Sequence, residues 1–205
     1  MNEVRDELRS VVAWISEQTD GMPLPVDRRA RMALGCLDVA IEHLAGISVL
    51  AEDLLWGPVY ALLQCMLDAF VHGIWLARCA TEVDLDSFEL AGLRGKPFTE
   101  LVDDVEHSLG HSRGVLSKLS TSSWAMFSAF THAGFVHMRS RKGPSAALAN
   151  YPAAETEQAL KVATALGLLS ATELAALSGH RDIAFACKAR AMRFADGRQA
   201  QRGRG

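Results

Sequence analysis

Residues 57–80, GPVYALLQCMLDAFVHGIWLARCA, form the stretch that decides the fold. Their large apolar side chains recur at steps of three and four residues, which is the spacing of one face of an α-helix. Gly57 and Pro58 mark the start, because a proline at the first helical position gives up no hydrogen bond. Apolar residues cover most of the circumference of this helix, so we expect it to lie in the middle of a helical bundle.

The rest of the chain follows the same helical period. It predicts further helices over about 2–18, 27–50, 84–91, 99–109, 120–141, 154–177 and 181–195. Asp27 is the expected N-cap of the second helix, and Gly179 is the expected end of the 154–177 helix. No run alternates β-branched and polar residues, so no strand is predicted. The expected fold class is all-α: a single-domain bundle of about six to eight helices over residues 1–196.

Composition excludes several classes of protein. The chain has 205 residues, of which 49% are hydrophobic, and its formal net charge is −3. This apolar content excludes a disordered chain, and the charge excludes a uniformly basic nucleic-acid binder. The charge is unevenly spread: residues 181–205 carry 7 Lys+Arg and 2 Asp+Glu, whereas the rest is acidic. Residues 197–205 are almost free of apolar side chains, so we expect a disordered basic tail.

Targeting and redox signals indicate a cytoplasmic protein. The N-terminus lacks an apolar signal core, and the four cysteines show no C-x-x-C pair. Gln64, Asp68 and His72 interrupt the most apolar stretch, so no membrane span is expected. We expect no metal and no cofactor. His107 and His111 have a metal-like spacing, but Gly110 breaks the helical register between them.

The first candidate site is the polar stripe Gln64, Asp68 and His72 of the central helix. Residues four apart lie on one helical face, so Asp68 can orient His72 and raise its pKa. Such an imidazole could act as a general base or bind a phosphate. The alternative is a polar seam that is satisfied inside the bundle.

The second candidate site is the segment FTHAGFVH, residues 130–137, with the basic residues that follow it. His132 and Arg139 are seven residues apart and share a helical face, and Arg141 follows closely. A histidine beside arginines could cleave a phosphodiester, with His132 as acid or base and arginine stabilising the anionic transition state. The alternative is a histidine bonded within the bundle, beside an ordinary basic helix end.

Three stretches carry a resemblance to a known family. LDAFVHGIWLARCAT at 67–81, FTHAG at 130–134 and LGLL at 166–169 resemble an uncharacterised bacterial all-helical domain family. That family is similar to the HEPN superfamily, which consists of small dimerising helical bundles found in toxin–antitoxin and phage-defence systems. The resemblance implies a helical homodimer.

Several HEPN proteins are metal-independent ribonucleases that use an Arg followed by a His after four to six intervening residues. No Arg of this chain has a His at that spacing, and His72 stands where relatives are expected to carry Arg. The resemblance carries over one site residue, His132.

Two functions follow from these observations. The first is an HEPN-like toxin or defence protein that binds or cleaves RNA, with His132 and His72 as candidate catalytic residues. In this hypothesis Arg78, Arg139, Arg141 and Asp68 are the candidate binding residues. The second is a non-catalytic helical dimer that binds a partner protein, such as an antitoxin-like partner, or serves as a scaffold.

Overall fold

The computed structural model describes residues 1–23, 25–91, 96–110, 114, 116–117 and 151–202, without the side chains of Ala91 and of residues 197–202. This part of the chain contains helices and no strand, which confirms the predicted all-α, single-domain bundle. The helices are α1 (Asn2–Thr19), α2 (Arg28–Glu52), α3 (Trp56–Arg78), α4 (Glu82–Ala91), α5 (Phe98–Ser108), α6 (Ala153–Leu177) and α7 (Arg181–Arg202).

The central position predicted for α3 is confirmed. This helix makes its most extensive contact with α2 and also packs against α5 and α6. Its buried side chains include Tyr60, Leu63, Met66 and Leu76. α6 in turn contacts α1, α2 and α3, and it forms a hairpin with α7. The core therefore lies where α2, α3 and α6 meet.

Two glycines let these helices approach closely. A Cβ atom built on Gly73 of α3 would lie 2.7 Å from Cγ of Leu37 and 3.2 Å from the carbonyl oxygen of Ala33, both on α2. A Cβ on Gly167 of α6 would overlap a methyl carbon of Leu44. A side chain at either position would clash with the neighbouring helix and overpack the core. Glycine at these two positions therefore sets the spacing of the core helices.

The helix ends agree with local sequence signals in most places. The side chain of Asp27 accepts a hydrogen bond of 2.8 Å from the amide of Ala30, which confirms it as the N-cap of α2. Gly179 ends α6 with a left-handed φ of 84°.

The predicted start of α4 near Asp84 or Asp86 is wrong, because α4 begins at Glu82. The side chain of Thr81 caps the amide of Asp84, and the carboxylate of Asp84 accepts from the amide of Thr81. This reciprocal pair places the start of the helix two residues earlier.

The predicted end of the last helix is also wrong. α7 continues to Arg202 and so enters the segment 197–205 that was expected to be disordered. After Gly197, residues 198–202 (RQAQR) are good helix formers, so the helix continues although this stretch contains no large apolar residue. The helix predicted over 120–141 lies outside the described residues.

Three helices, α2, α3 and α6, are long and apolar enough to cross a membrane. In the structure, 67% of the apolar window of α3 and 61% of that of α6 are buried, against 39% for α2. Packing within the bundle therefore covers most of two of these windows. The expectations of a cytoplasmic location and of no membrane contact are not tested by these observations and stay predictions.

All four cysteines are free thiols. Cys187 is fully buried, whereas Cys65 is exposed. The apolar helical pattern around Cys65 therefore does not place its side chain in the core.

Candidate functional site

The Asp68–His72 pair lies on α3 as predicted, with the histidine facing the interior. His72 is 3% exposed, and its Nδ1 lies 2.7 Å from the carbonyl oxygen of Asp68 and 3.4 Å from the carboxylate of the same residue. Both neighbours accept hydrogen bonds, so Nδ1 carries the proton and donates. This geometry is that of a buried histidine bonded within its own helix, and the role of His72 as a catalytic base stays a prediction.

Cys36 is a neighbour of this pair that the sequence analysis missed, because it lies on α2. Burial and the nearby Asp68 carboxylate raise the pKa of the Cys36 thiol to about 11. Burial and the same carboxylate also raise the pKa of Cys65. Both thiols are therefore protonated at neutral pH and are poor nucleophiles.

Arg78, the candidate phosphate-binding residue at the end of α3, is already paired. Its Nη2 donates to the carboxylate of Glu173 on α6 over 2.7 Å. A phosphate would have to displace this carboxylate before Arg78 could bind it. His132, Arg139 and Arg141 lie outside the described residues, so the second candidate site has no description here.

The strongest candidate site among the described residues is a groove between α3, α5, α6 and α7. Its volume is about 570 Å³, in the range of small-molecule and side-chain binding sites. The described residues that form its apolar walls are Phe70, Ile74, Leu109, Leu116, Val162, Ala165, Leu166 and Leu169. Its polar lining residues are Glu106, Gln158, Glu173 and Lys188. The sequence carries no signal for this groove, since the described residues that line it come from four separate helices.

Glu106, at one edge of the groove, is engaged within the chain. Its carboxylate accepts a hydrogen bond of 3.0 Å from the amide of Ser117 and a second one from the Ser117 hydroxyl. Burial raises the pKa of Glu106, but these bonds and those from the amides of Gly114 and Leu116 outweigh burial and lower it overall. The carboxylate thus holds Gly114, Leu116 and Ser117 against α5.

The outer face of α7 continues the apolar surface beyond the groove. Phe185 is 74% exposed and Met192 is 58% exposed. These two side chains are seven residues apart and share a helical face with Lys188, which lines the groove. Among the described residues, Lys188 has no carboxylate within 4.0 Å. Exposed aromatic and thioether side chains beside an apolar groove are typical of an interaction surface.

We call this combination, the groove together with Phe185, Lys188 and Met192, the α7 surface.

The described residues hold no cluster of three or more His, Cys, Asp or Glu side chains that could bind a metal ion. The fold and this surface define an all-α helical-bundle protein with an open apolar groove.

The chain belongs to the DUF6988 family, a family of unknown function, whose profile matches residues 37–199. This membership agrees with the predicted resemblance to a helical family of uncharacterised function. No curated protein and no solved structure matches the chain.

Proposed function

We propose that this protein is a non-catalytic interaction module that binds an amphipathic helix of a partner protein on the α7 surface. The observation that carries this proposal is the groove of about 570 Å³, which eight apolar side chains of the described residues line, with the exposed Phe185 beside it. An amphipathic helix places apolar side chains at i, i+3, i+4 and i+7, which suits such a groove.

The charges around the groove favour an acidic partner helix. Glu173 is paired with Arg78, and the Glu106 carboxylate keeps its charge but turns its oxygens to the amide and hydroxyl of Ser117. Lys188 is the lining cation that has no carboxylate within 4.0 Å in the described part of the chain. A carboxylate on the partner would complete this pair and improve the specificity of docking.

The arrangement of the predicted catalytic residues supports binding rather than catalysis. His72 is buried with Nδ1 engaged by its own helix, and Arg78 is engaged by Glu173. A general base has to reach its substrate within hydrogen-bond distance, directly or through one water molecule. Neither His72 nor Arg78 is therefore well placed to contact an RNA.

Two synthetic 18-residue helices with the same Leu stripe test the proposal, one with Glu and one with Lys on its polar face. Fluorescence anisotropy should show binding of the Glu peptide, and Lys188→Glu should shift the preference to the Lys peptide. Arg31→Glu is the matched control, because Arg31 lies on α2 and its guanidinium contacts the backbone carbonyl of Val26. Phe185→Ala should weaken binding about ten- to a hundredfold, since burial of a large apolar side chain contributes roughly 1.5–3 kcal/mol.

Binding of neither peptide, or equal effects of Lys188→Glu and Arg31→Glu, would refute this proposal. Self-association blocked by Phe185→Ala, measured by light scattering, would instead assign the α7 surface to a second copy of the chain. That result would overturn the proposed partner and support the predicted homodimer.

The RNA-directed function is the second candidate. It rests on the resemblance to the HEPN superfamily and on the basic character of residues 181–205. In this proposal a homodimer of the toxin or defence type binds or cleaves RNA without a metal, with His132 as acid or base. An RNA-cleavage and growth-toxicity assay of wild type beside His132→Ala tests it. Cleavage by the wild type that His132→Ala abolishes would support this function, and equal activity of the two proteins would exclude His132 as the catalytic group.

A further inference from the structure

A second, smaller cleft lies between α1 and α7, on another face of α7 than the α7 surface. Its volume is about 210 Å³, and the described residues that line it are Glu7, Val11, Leu168, Arg190, Arg193 and Phe194. Two guanidinium groups from one helix thus meet at one concave site. The site belongs neither to the groove nor to the predicted catalytic residues.

Arg190 is held rigidly at this cleft by residues of α1. Its guanidinium carbon lies 4.6 Å from the ring centroid of Trp14, in a cation–π arrangement. Its Nη2 donates a hydrogen bond of 3.3 Å to the hydroxyl of Ser10. A guanidinium fixed in this way loses little entropy when it binds a ligand.

The positive charge at the cleft is incompletely neutralised. Among the described residues, neither Arg190 nor Arg193 has a carboxylate within 4.0 Å. Burial lowers the pKa of Arg190, and the charge of Arg193 lowers it further, whereas Glu7 acts in the opposite direction. Two like charges beside a partly desolvated site favour an anion that would join them.

We propose that this cleft binds a phosphate group, with Arg190 and Arg193 donating to its oxygens. One guanidinium group can donate two hydrogen bonds to the two oxygens of a carboxylate. A tetrahedral phosphate has further oxygens, which can accept hydrogen bonds from a second guanidinium group. Glu7 opposes the anion by charge repulsion and limits its affinity.

The proposal is independent of helix binding at the α7 surface, because the two sites share no lining residue. Isothermal titration calorimetry with inorganic phosphate, adenosine 5′-monophosphate and a 12-nucleotide single-stranded RNA tests it. Arg193→Gln should weaken phosphate binding about tenfold, the loss expected for one charge-assisted contact. Glu7→Gln should tighten binding by removing the repulsive carboxylate.

Arg181→Gln is the matched control, since it removes the same charge from the exposed first turn of α7 and lies outside the cleft. It should bind all three probes as the wild type does. Circular dichroism verifies that Arg193→Gln is folded, as expected for an exposed side chain. If the RNA binds more tightly than the monophosphates and loses the same factor in Arg193→Gln, the phosphate source is nucleic acid. If only the monophosphates bind, the source is a small phosphorylated molecule.

No heat of binding from any probe with the wild type would overturn the assignment. Equal affinities of wild type and Arg193→Gln, or equal losses in Arg193→Gln and Arg181→Gln, would show non-specific charge attraction and would overturn it as well.

Discussion

Replacing Gly73 by alanine tests the packing of α3 on α2, on which the whole core depends. The new Cβ atom would meet two carbons of Leu37, at 2.7 and 2.9 Å, and the carbonyl oxygen of Ala33 at 3.2 Å. The nearer carbon is the branch point of Leu37 and the oxygen belongs to the backbone, so relief requires movement of a helix rather than of a side-chain tip.

The expected magnitude follows from two opposing effects. Alanine in place of glycine inside a helix stabilises it by about 1 kcal/mol. Overpacking a close-packed core costs roughly 1–3 kcal/mol. We therefore expect Gly73→Ala to lower the free energy of unfolding by about 1 kcal/mol, with the overpacking larger than the gain in propensity.

Gly35→Ala is the matched control. Gly35 is exposed within α2, and a Cβ atom built there meets nothing within 4 Å. This substitution should therefore show the propensity gain alone and raise stability by about 1 kcal/mol. The two variants should differ by about 2 kcal/mol in urea unfolding followed by circular dichroism at 222 nm. Equal stabilisation in both variants would show that α2 and α3 do not approach as closely as described.

Three further predictions concern other parts of the fold. Glu106→Gln should cost about 1–2 kcal/mol at pH 7, because the carboxylate that holds Ser117 is lost. The pKa of Glu106 is lower in the folded than in the unfolded protein. The carboxylate therefore stabilises the fold above the unfolded pKa of about 4.3, and this stabilisation is lost as the pH falls further. Urea unfolding at pH 3.5 should show a smaller difference between the variant and the wild type. A thiol reagent at pH 8 should label the exposed Cys65 first and the buried Cys187 only on unfolding, as mass spectrometry would show; equal rates would contradict the burial of Cys187. Leu54 adopts a left-handed φ of 58°, which is strained in any residue with a side chain. Leu54→Gly should therefore raise the free energy of unfolding by up to about 1 kcal/mol in the urea assay. A loss of stability would contradict this reasoning.

Most helices and their order could be predicted from the sequence. Helical periodicity predicts the central helix over about 57–80, and it spans Trp56–Arg78; Asp27 caps α2 as its position suggests. The start of α4 was predicted wrongly because the Thr81–Asp84 capping pair was not recognised. The predicted end of α7 is also wrong, since low apolar content does not prevent Arg, Gln and Ala from continuing a helix.

The candidate sites were predictable only in part. The spacing of Asp68 and His72 correctly indicated an i,i+4 pair, because both residues lie on one helix. It did not determine which way the pair faces, and His72 faces the core. The groove and the Arg190 cleft had no sequence signal of their own, as each is formed by residues of separate helices.

The sequence by itself determined that this chain is helical, where most helices lie, and that the central one is buried. Those properties depend on hydrogen bonds over four residues and on a period of 3.6, which are local. Only the tertiary structure decided that Arg78 pairs with Glu173, 95 residues away, and that Arg190 packs on Trp14. Such contacts depend on how helices pack side by side, and helical periodicity identifies the face that is buried but not the partner that covers it.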